Sequence, residues 1–301
     1  MRYSEICKLL QLLVTLALVL SGKEESRVSR VKRLATPNYD QEVYESMAKY
    51  VVSIRSRSPK RYFGDNHFCG GCIISPRFVI SAAICVMESD HKILLRSRVL
   101  MVVAGTPNRL KIVTGQTLNV PVADIYVPGN YTVYNTNNIA IMKLAYDLPS
   151  ESKHIGIINL PTQPPDTDLI YRVLGWGRVF KGGPLASRLL YIDVTLQKRN
   201  VCESMIKNFK PEMLCAGNMN SSNDANPCLG DSGDPLLLNL TVYGIASYGL
   251  GCGYGSMPSV YTDVWYHMDW INSVMNRNFS PKYQLLPHYM FLLSIIVIFP
   301  F

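Results

Sequence analysis

Between residues 50 and 264 the chain breaks into short runs of β-favouring residues separated by turn clusters, and this rhythm restricts the fold more than any other feature. The runs fall at 50–54, 99–103, 139–144, 189–196, 236–240 and 242–247. Val, Ile, Tyr and Leu at this density suit a pleated, half-buried surface. No helical periodicity alternates with them, which argues against a parallel sheet built from βαβ units. Many short strands of this kind predict an all-β fold, an antiparallel barrel or sandwich. One amphipathic stretch ends the pattern. Met268, Ile271 and Val274 share a face within residues 265–274 and predict a single C-terminal helix packed on the β core. The chain has no internal repeat and no low-complexity linker.

The amino-terminal segment has a different character. Arg2 and Lys8 precede an apolar run from Leu9 to Leu20, which closes on the small pair Ser21-Gly22. That layout predicts a secretory signal peptide over residues 1–22, because the run is shorter than the roughly 20 residues a membrane span needs. Arg27, Arg30, Lys32 and Arg33 follow, and the dibasic end predicts a pro-segment over 23–33, cut after Arg33. Of eight cysteines, Cys7 leaves with the signal peptide. The rest reach an oxidising compartment, where cysteines pair with one another. Cys69-Gly70-Gly71-Cys72 faces no second pair of metal-ligand spacing, and neither a metal site nor a cofactor is expected. Sequons at Asn130, Asn220, Asn239 and Asn278 predict glycosylation on the secretory route. The formal net charge is +8, but no basic helix, finger spacing or basic-aromatic motif points to nucleic acid. An acidic protein, glycan or membrane surface fits that charge better.

A family resemblance enters at Gly230-Asp231-Ser232-Gly233, which follows Cys228 and precedes Pro235. The segment resembles the nucleophile loop of trypsin- and chymotrypsin-like serine proteases. The same resemblance recurs at His67-Phe68-Cys69-Gly70-Gly71, across residues 75–83, at Gly175-Trp176-Gly177, at Met213-Leu214-Cys215-Ala216-Gly217 and at Pro258-Ser259-Val260-Tyr261-Thr262. These motifs stand in the family's order. They imply two six-stranded antiparallel β-barrels with a C-terminal helix, a protease-like domain over 34–278, and a hydrophobic tail over 279–301.

Catalysis in that family needs a serine, a histidine that takes its proton, and a buried aspartate that orients the histidine. The family's Ala-Ala-His-Cys is matched here by Ala82-Ala83-Ile84-Cys85, and its Asp-Ile-Ala-Leu by Asn138-Ile139-Ala140-Ile141. Two of the three slots, Ile84 and Asn138, therefore hold side chains that cannot do this work, and only Ser232 remains. Neither His91, seven residues beyond Ile84, nor Asp234, where the family has glycine, is expected to substitute. Asp234 is expected to tilt its loop. The resemblance leaves an oxyanion-hole remnant at the backbone N–H groups of Gly230 and Ser232. It places a pocket remnant at Asn226, Pro227, Ser247, Tyr248, Gly249 and Ser259, with Ser259 narrowing the pocket. Leu34-Ala35-Thr36-Pro37 follows Arg33 in place of the family's Ile-Val-Gly-Gly, so cleavage there is not expected to complete the oxyanion hole.

The resemblance implies disulfides Cys69–Cys85, Cys202–Cys215 and Cys228–Cys252. Cys72 is left over, as a buried thiol or an intermolecular bridge. The expectation is a secreted or cell-surface serine protease homologue without catalysis, acting by protein binding or regulation. Two other readings stay open: a serine hydrolase with residual or unusual activity at Ser232, and a surface-anchored adhesion or scaffold protein. Arg55, Arg57, Lys60 and Arg61, with Lys92, Arg96, Arg98, Arg109 and Lys111, are expected to form one basic exosite for an acidic extracellular partner. The apolar tail at 289–301 has three readings: a lipid-anchor signal, a retained membrane-associated segment, or an extension packed on the domain.

Overall fold

The first six strands close into a barrel. They are β1 (Val51–Ser56), β2 (His67–Ser75), β3 (Phe78–Ser81), β4 (Leu100–Ala104), β5 (Leu118–Tyr126) and β6 (Ala140–Leu144), and they pair in the order β1-β2-β3-β6-β5-β4. The computed structural model describes residues 46–88, 92–149, 151–178, 182–218, 231–248 and 257–277. Closure comes from β1 and β4, which run antiparallel with Ser53 opposite Val103 and Ile54 opposite Val102. The turn from β2 to β3 is set by Ser75, whose Oγ accepts hydrogen bonds from the N–H groups of Arg77 and Phe78. Val52, Ile54, Ile73, Ile80, Val102, Val120 and Ile141 fill the barrel interior and are shielded from water.

The second half repeats the plan. It contains β7 (Ile170–Gly175), β8 (Leu190–Thr195), β9 (Met213–Ala216), β10 (Pro235–Leu238), β11 (Thr241–Tyr248) and β12 (Ser259–Asp263), ordered β8-β7-β10-β11-β12-β9. A single antiparallel bridge, Leu196 to Ala216, joins the two edges of this sheet. The all-β class and the two six-stranded barrels expected from the sequence are thus present. Tyr171, Val173, Ile192, Val194, Leu236 and Tyr261 form the second core. Among the described residues, two α-helices lie in this half: α1 (Arg199–Met205) and α2 (Met268–Arg277).

Two boundaries differ from the sequence reading. The run at 236–240 ends at Leu238, because Asn239 and Leu240 both take positive φ, 49° and 59°, and form the tight turn into β11. Primed turns of this kind match the twist of paired strands, and Asn tolerates the left-handed region. The C-terminal helix starts at Met268, three residues later than expected. Trp265 and Tyr266 belong instead to a turn, in which the Tyr266 N–H donates to Asp263 Oδ1 at 3.2 Å. Ile271 and Val274 are buried as the periodicity requires, and Met268 packs at the edge of the core.

Disulfides Cys69–Cys85 and Cys202–Cys215 are formed, with Cα atoms 6.1 and 5.9 Å apart. Cys72 is the buried free thiol of the two alternatives. The signal peptide, the pro-segment, the tail, Cys228–Cys252 and the sequons at Asn220 and Asn278 lie outside the described residues. Asn130 and Asn239 are exposed on loops.

Candidate functional site

Ile84 sits in the 3-10 helix Ala83–Val86 that follows β3, beside the Cys69–Cys85 disulfide. Its half-buried side chain packs against the first core, and its backbone N–H points at Asn138. Asn138 precedes β6 and is fully buried. Its Oδ1 accepts the Ile84 N–H at 2.9 Å, its Nδ2 donates to Ser247 Oγ on β11 at 2.7 Å, and its carbonyl accepts from Thr262 Oγ1 on β12 at 2.8 Å. One amide therefore ties the first barrel to the second. The approach is made by Asn135 and Asn137, both with positive φ, a conformation that short polar side chains tolerate.

Ser232 is half-buried, and its carbonyl accepts the Gly70 N–H at 3.0 Å. Gly233 has φ 87°, and a side chain there would collide with Ser81 Oγ and the Gly70 carbonyl, so this turn requires glycine. No described residue hydrogen-bonds Ser232 Oγ. Asp231 points inward and accepts the Gly177 N–H at 2.7 Å. Asp234, expected to tilt its loop, also turns its side chain inward. Its carboxyl is fully buried against Gly70 and Gly175, where a Cβ on either glycine would overlap it. Burial first, then the Asp231 carboxylate, pushes the Asp234 carboxyl well above the usual range.

Of the pocket positions, Ser247 and Ser259 are buried. Ser247 is occupied by Asn138. Tyr248 is half-buried, with Oη 3.9 Å from Met213 Sδ. Asn226, Pro227, Gly249, Gly230 and His91 lie outside the described residues. A separate groove of about 740 Å³ lies between Met87, Leu94 and Tyr126 on one side and Trp270 and Val274 on the other; none of the three triad slots lines it.

The basic set divides in two. Arg57, Lys60, Arg61, Arg96, Arg98 and Lys111 are exposed, and Arg57 links the two loops through a bond from its side chain to the Arg98 carbonyl at 3.3 Å. Arg55 and Arg109 are corrections to the sequence reading, because both are buried. Arg55 donates to Ser53 Oγ and the Arg109 carbonyl, both at 2.8 Å, and stacks 4.5 Å from the Phe63 ring centroid. Arg109 donates to the carbonyls of Ala186, Gly64 and Leu185. Alternation gave no warning, because it puts Arg55 on the face opposite Ile54 and the strand is buried on both faces. Burial, then the neighbouring Arg109 charge, lowers Arg55 to about 10.

Residues 38–271 match the trypsin family, and the chain belongs to it. Among curated relatives, an ovochymase from Halocynthia roretzi is 34% identical over 224 residues, which is 70% of this chain and 14% of that protein. The chain thus spans a small part of that relative. Trypsin zeta from Drosophila erecta is 31% identical over 238 residues, covering 75% of this chain and 80% of the relative. Snake venom serine proteinase 12 from Crotalus adamanteus is 31% identical over 231 residues, covering 72% and 81%.

Proposed function

We propose that this chain is a non-catalytic member of the trypsin family that acts outside the cell by binding a protein. The observation that carries the reading is the bonding of Asn138. In the triad that drives this family's chemistry, an aspartate orients a histidine and stabilises its charge. Here a neutral amide has both polar ends engaged by Ile84 and Ser247, and an aliphatic side chain stands in the base slot. A serine hydroxyl without a base is a poor nucleophile at neutral pH. Loss of a triad member costs about 10⁴- to 10⁶-fold in turnover, or roughly 5–8 kcal/mol of transition-state stabilisation.

Binding does not need that chemistry. The exposed cations Arg57, Lys60, Arg61, Arg96, Arg98 and Lys111 offer an acidic partner a surface, and an extended peptide can add along the segment at Tyr248 and Gly249. In this reading, removal of residues 1–33 leaves a domain over 34–278, and the tail decides between release and retention at the cell surface.

The test is a phosphonate probe and a peptide-substrate panel applied to the purified protein cut after Arg33. No labelling and no hydrolysis above a Ser232→Ala control is the expected result. Stoichiometric labelling lost in Ser232→Ala would overturn the reading in favour of a hydrolase.

A further inference from the structure

The turn at Asp231-Ser232-Gly233-Asp234 carries two carboxyls into the interior. Asp231 is 1% exposed and Asp234 is 0% exposed. A side chain on Gly175, at the end of β7, would meet both acids at once, so the two carboxyls share one wall. Neither oxygen of Asp234 has a hydrogen-bond donor among the described residues, and the polar group it faces is the Asp231 carboxyl. Its backbone is pinned twice: Asp234 N donates to the Asp231 carbonyl at 3.0 Å, and Ala246 N donates to the Asp234 carbonyl at 2.8 Å. The turn therefore fixes where this side chain enters the interior.

Among the described residues, the titratable groups coupled to Asp234 are Asp231 on its own loop, Cys72 on β2 and Tyr261 on β12. His67, further along β2, meets Ser53 Oγ through Nδ1 at 2.8 Å. None of Asp231, Cys72 and Tyr261 brings a positive charge. Two ionised carboxylates side by side in a dry interior repel and have lost their hydration, so one of them must keep a proton.

We propose that Asp231 and Asp234 share one proton, with a neutral Asp234 donating a hydrogen bond to the Asp231 carboxylate and latching the Ser232 loop. Asp231 is the member fixed as the carboxylate, because it already accepts the Gly177 N–H. The chain of contacts then runs from Gly177 through Asp231 to Asp234, and the Gly70 N–H bond to the Ser232 carbonyl holds the other side of the turn. The upward push on the Asp234 carboxyl agrees with this placement of the proton. At alkaline pH the Asp234 O–H bond breaks, the proton passes to water, and two adjacent carboxylates loosen the loop.

Two measurements on the purified protein test this. The first follows urea unfolding from pH 7 to 9 for wild type and Asp234→Asn, in which the amide keeps the shape and can still donate to Asp231. While the folded wild type holds a proton that the unfolded chain lacks, its folding equilibrium constant falls about tenfold more per pH unit than that of the variant. Parallel profiles would overturn the latch. The second is difference infrared spectroscopy of wild type at pH 8, where a protonated-carboxyl carbonyl stretch is expected. Its absence overturns the proposal even if Asp234→Asn does not fold.

Discussion

Asn138 accepts the Ile84 N–H and donates to Ser247, so the slot that holds an ionised carboxylate in active relatives holds a neutral, fully bonded amide. Asn138→Asp therefore does not restore a working group by itself. Asp can accept from both Ile84 and Ser247, but it places a charge at a fully buried position whose described partners are all neutral. The expected cost is about 2–4 kcal/mol at pH 7.5 and less at pH 4.5, because burial raises the new acid's pKa and its protonated form survives at low pH. Adding Ile84→His supplies a partner and recovers part of the loss. Urea midpoints of the three variants at both pH values check this, and an Asn138→Asp protein as stable as wild type at pH 7.5 refutes it.

Cys72 lies within the first core, and burial followed by the nearby Asp234 pushes its thiol far up. Thiolate is the reactive form, so the folded protein is expected to resist thiol reagents that label it fully in denaturant. Rapid labelling of native protein at Cys72 would contradict the burial. Removal of the Cys69–Cys85 bridge, which closes a 16-residue separation beside Ile84, is expected to cost about 3 kcal/mol.

The fold was legible because the strands are short, β-rich and spaced by turns, and because the motifs around Ser232 occur in family order. Both disulfides that fall within the described residues were equally legible. What stayed hidden depends on direction. A sequence shows that Asp234 replaces glycine, but not that two glycines on other strands, Gly70 and Gly175, leave a slot for its carboxyl. Arg55 and Arg109 read as surface charge because arginines are seldom buried. Backbone carbonyls, which carry no sequence signature, supply most of their partners.

Burial divides the basic residues into groups with separable effects. Reversing Arg57, Lys60, Arg96 and Arg98 to Glu is expected to leave the unfolding midpoint within about 0.5 kcal/mol of wild type per substitution, since exposed charges contribute little to stability. The same changes weaken binding to an acidic partner and flatten its salt dependence. Arg55→Glu, by contrast, is expected to prevent folding, because it places a carboxylate against the Arg109 carbonyl and the Phe63 ring. Expression as folded protein, read by circular dichroism, and binding across a salt series separate the two outcomes. A stably folded Arg55→Glu would show that this side chain is not confined as described.

Asp263, at the end of β12, gives the last prediction. Burial raises its carboxyl to about 6, against the pull of the Tyr266 and Trp265 N–H groups and the Arg199 charge. An acid whose folded value is raised contributes stability that is fully present below its unfolded value near 4 and is lost as pH rises to about 6. The span of about two units corresponds to roughly 3 kcal/mol. His267, whose Nδ1 donates to the Asp263 carbonyl at 2.7 Å, acts in the opposite sense. Burial lowers its value, so its contribution is present above the unfolded value near 6.5 and is lost on acidification. Asp263→Asn keeps an oxygen for the Tyr266 N–H and removes the buried charge. It is expected to match wild type at pH 4, to exceed it by about 2–3 kcal/mol at pH 7, and to leave the His267 limb unchanged. The difference between the two proteins should flatten above about pH 7, where Asp263 is fully ionised in both states. A difference that kept growing from pH 7 to 9 would contradict a carboxyl raised only to about 6, because the Asp231–Asp234 pair is common to both proteins and cancels in their difference.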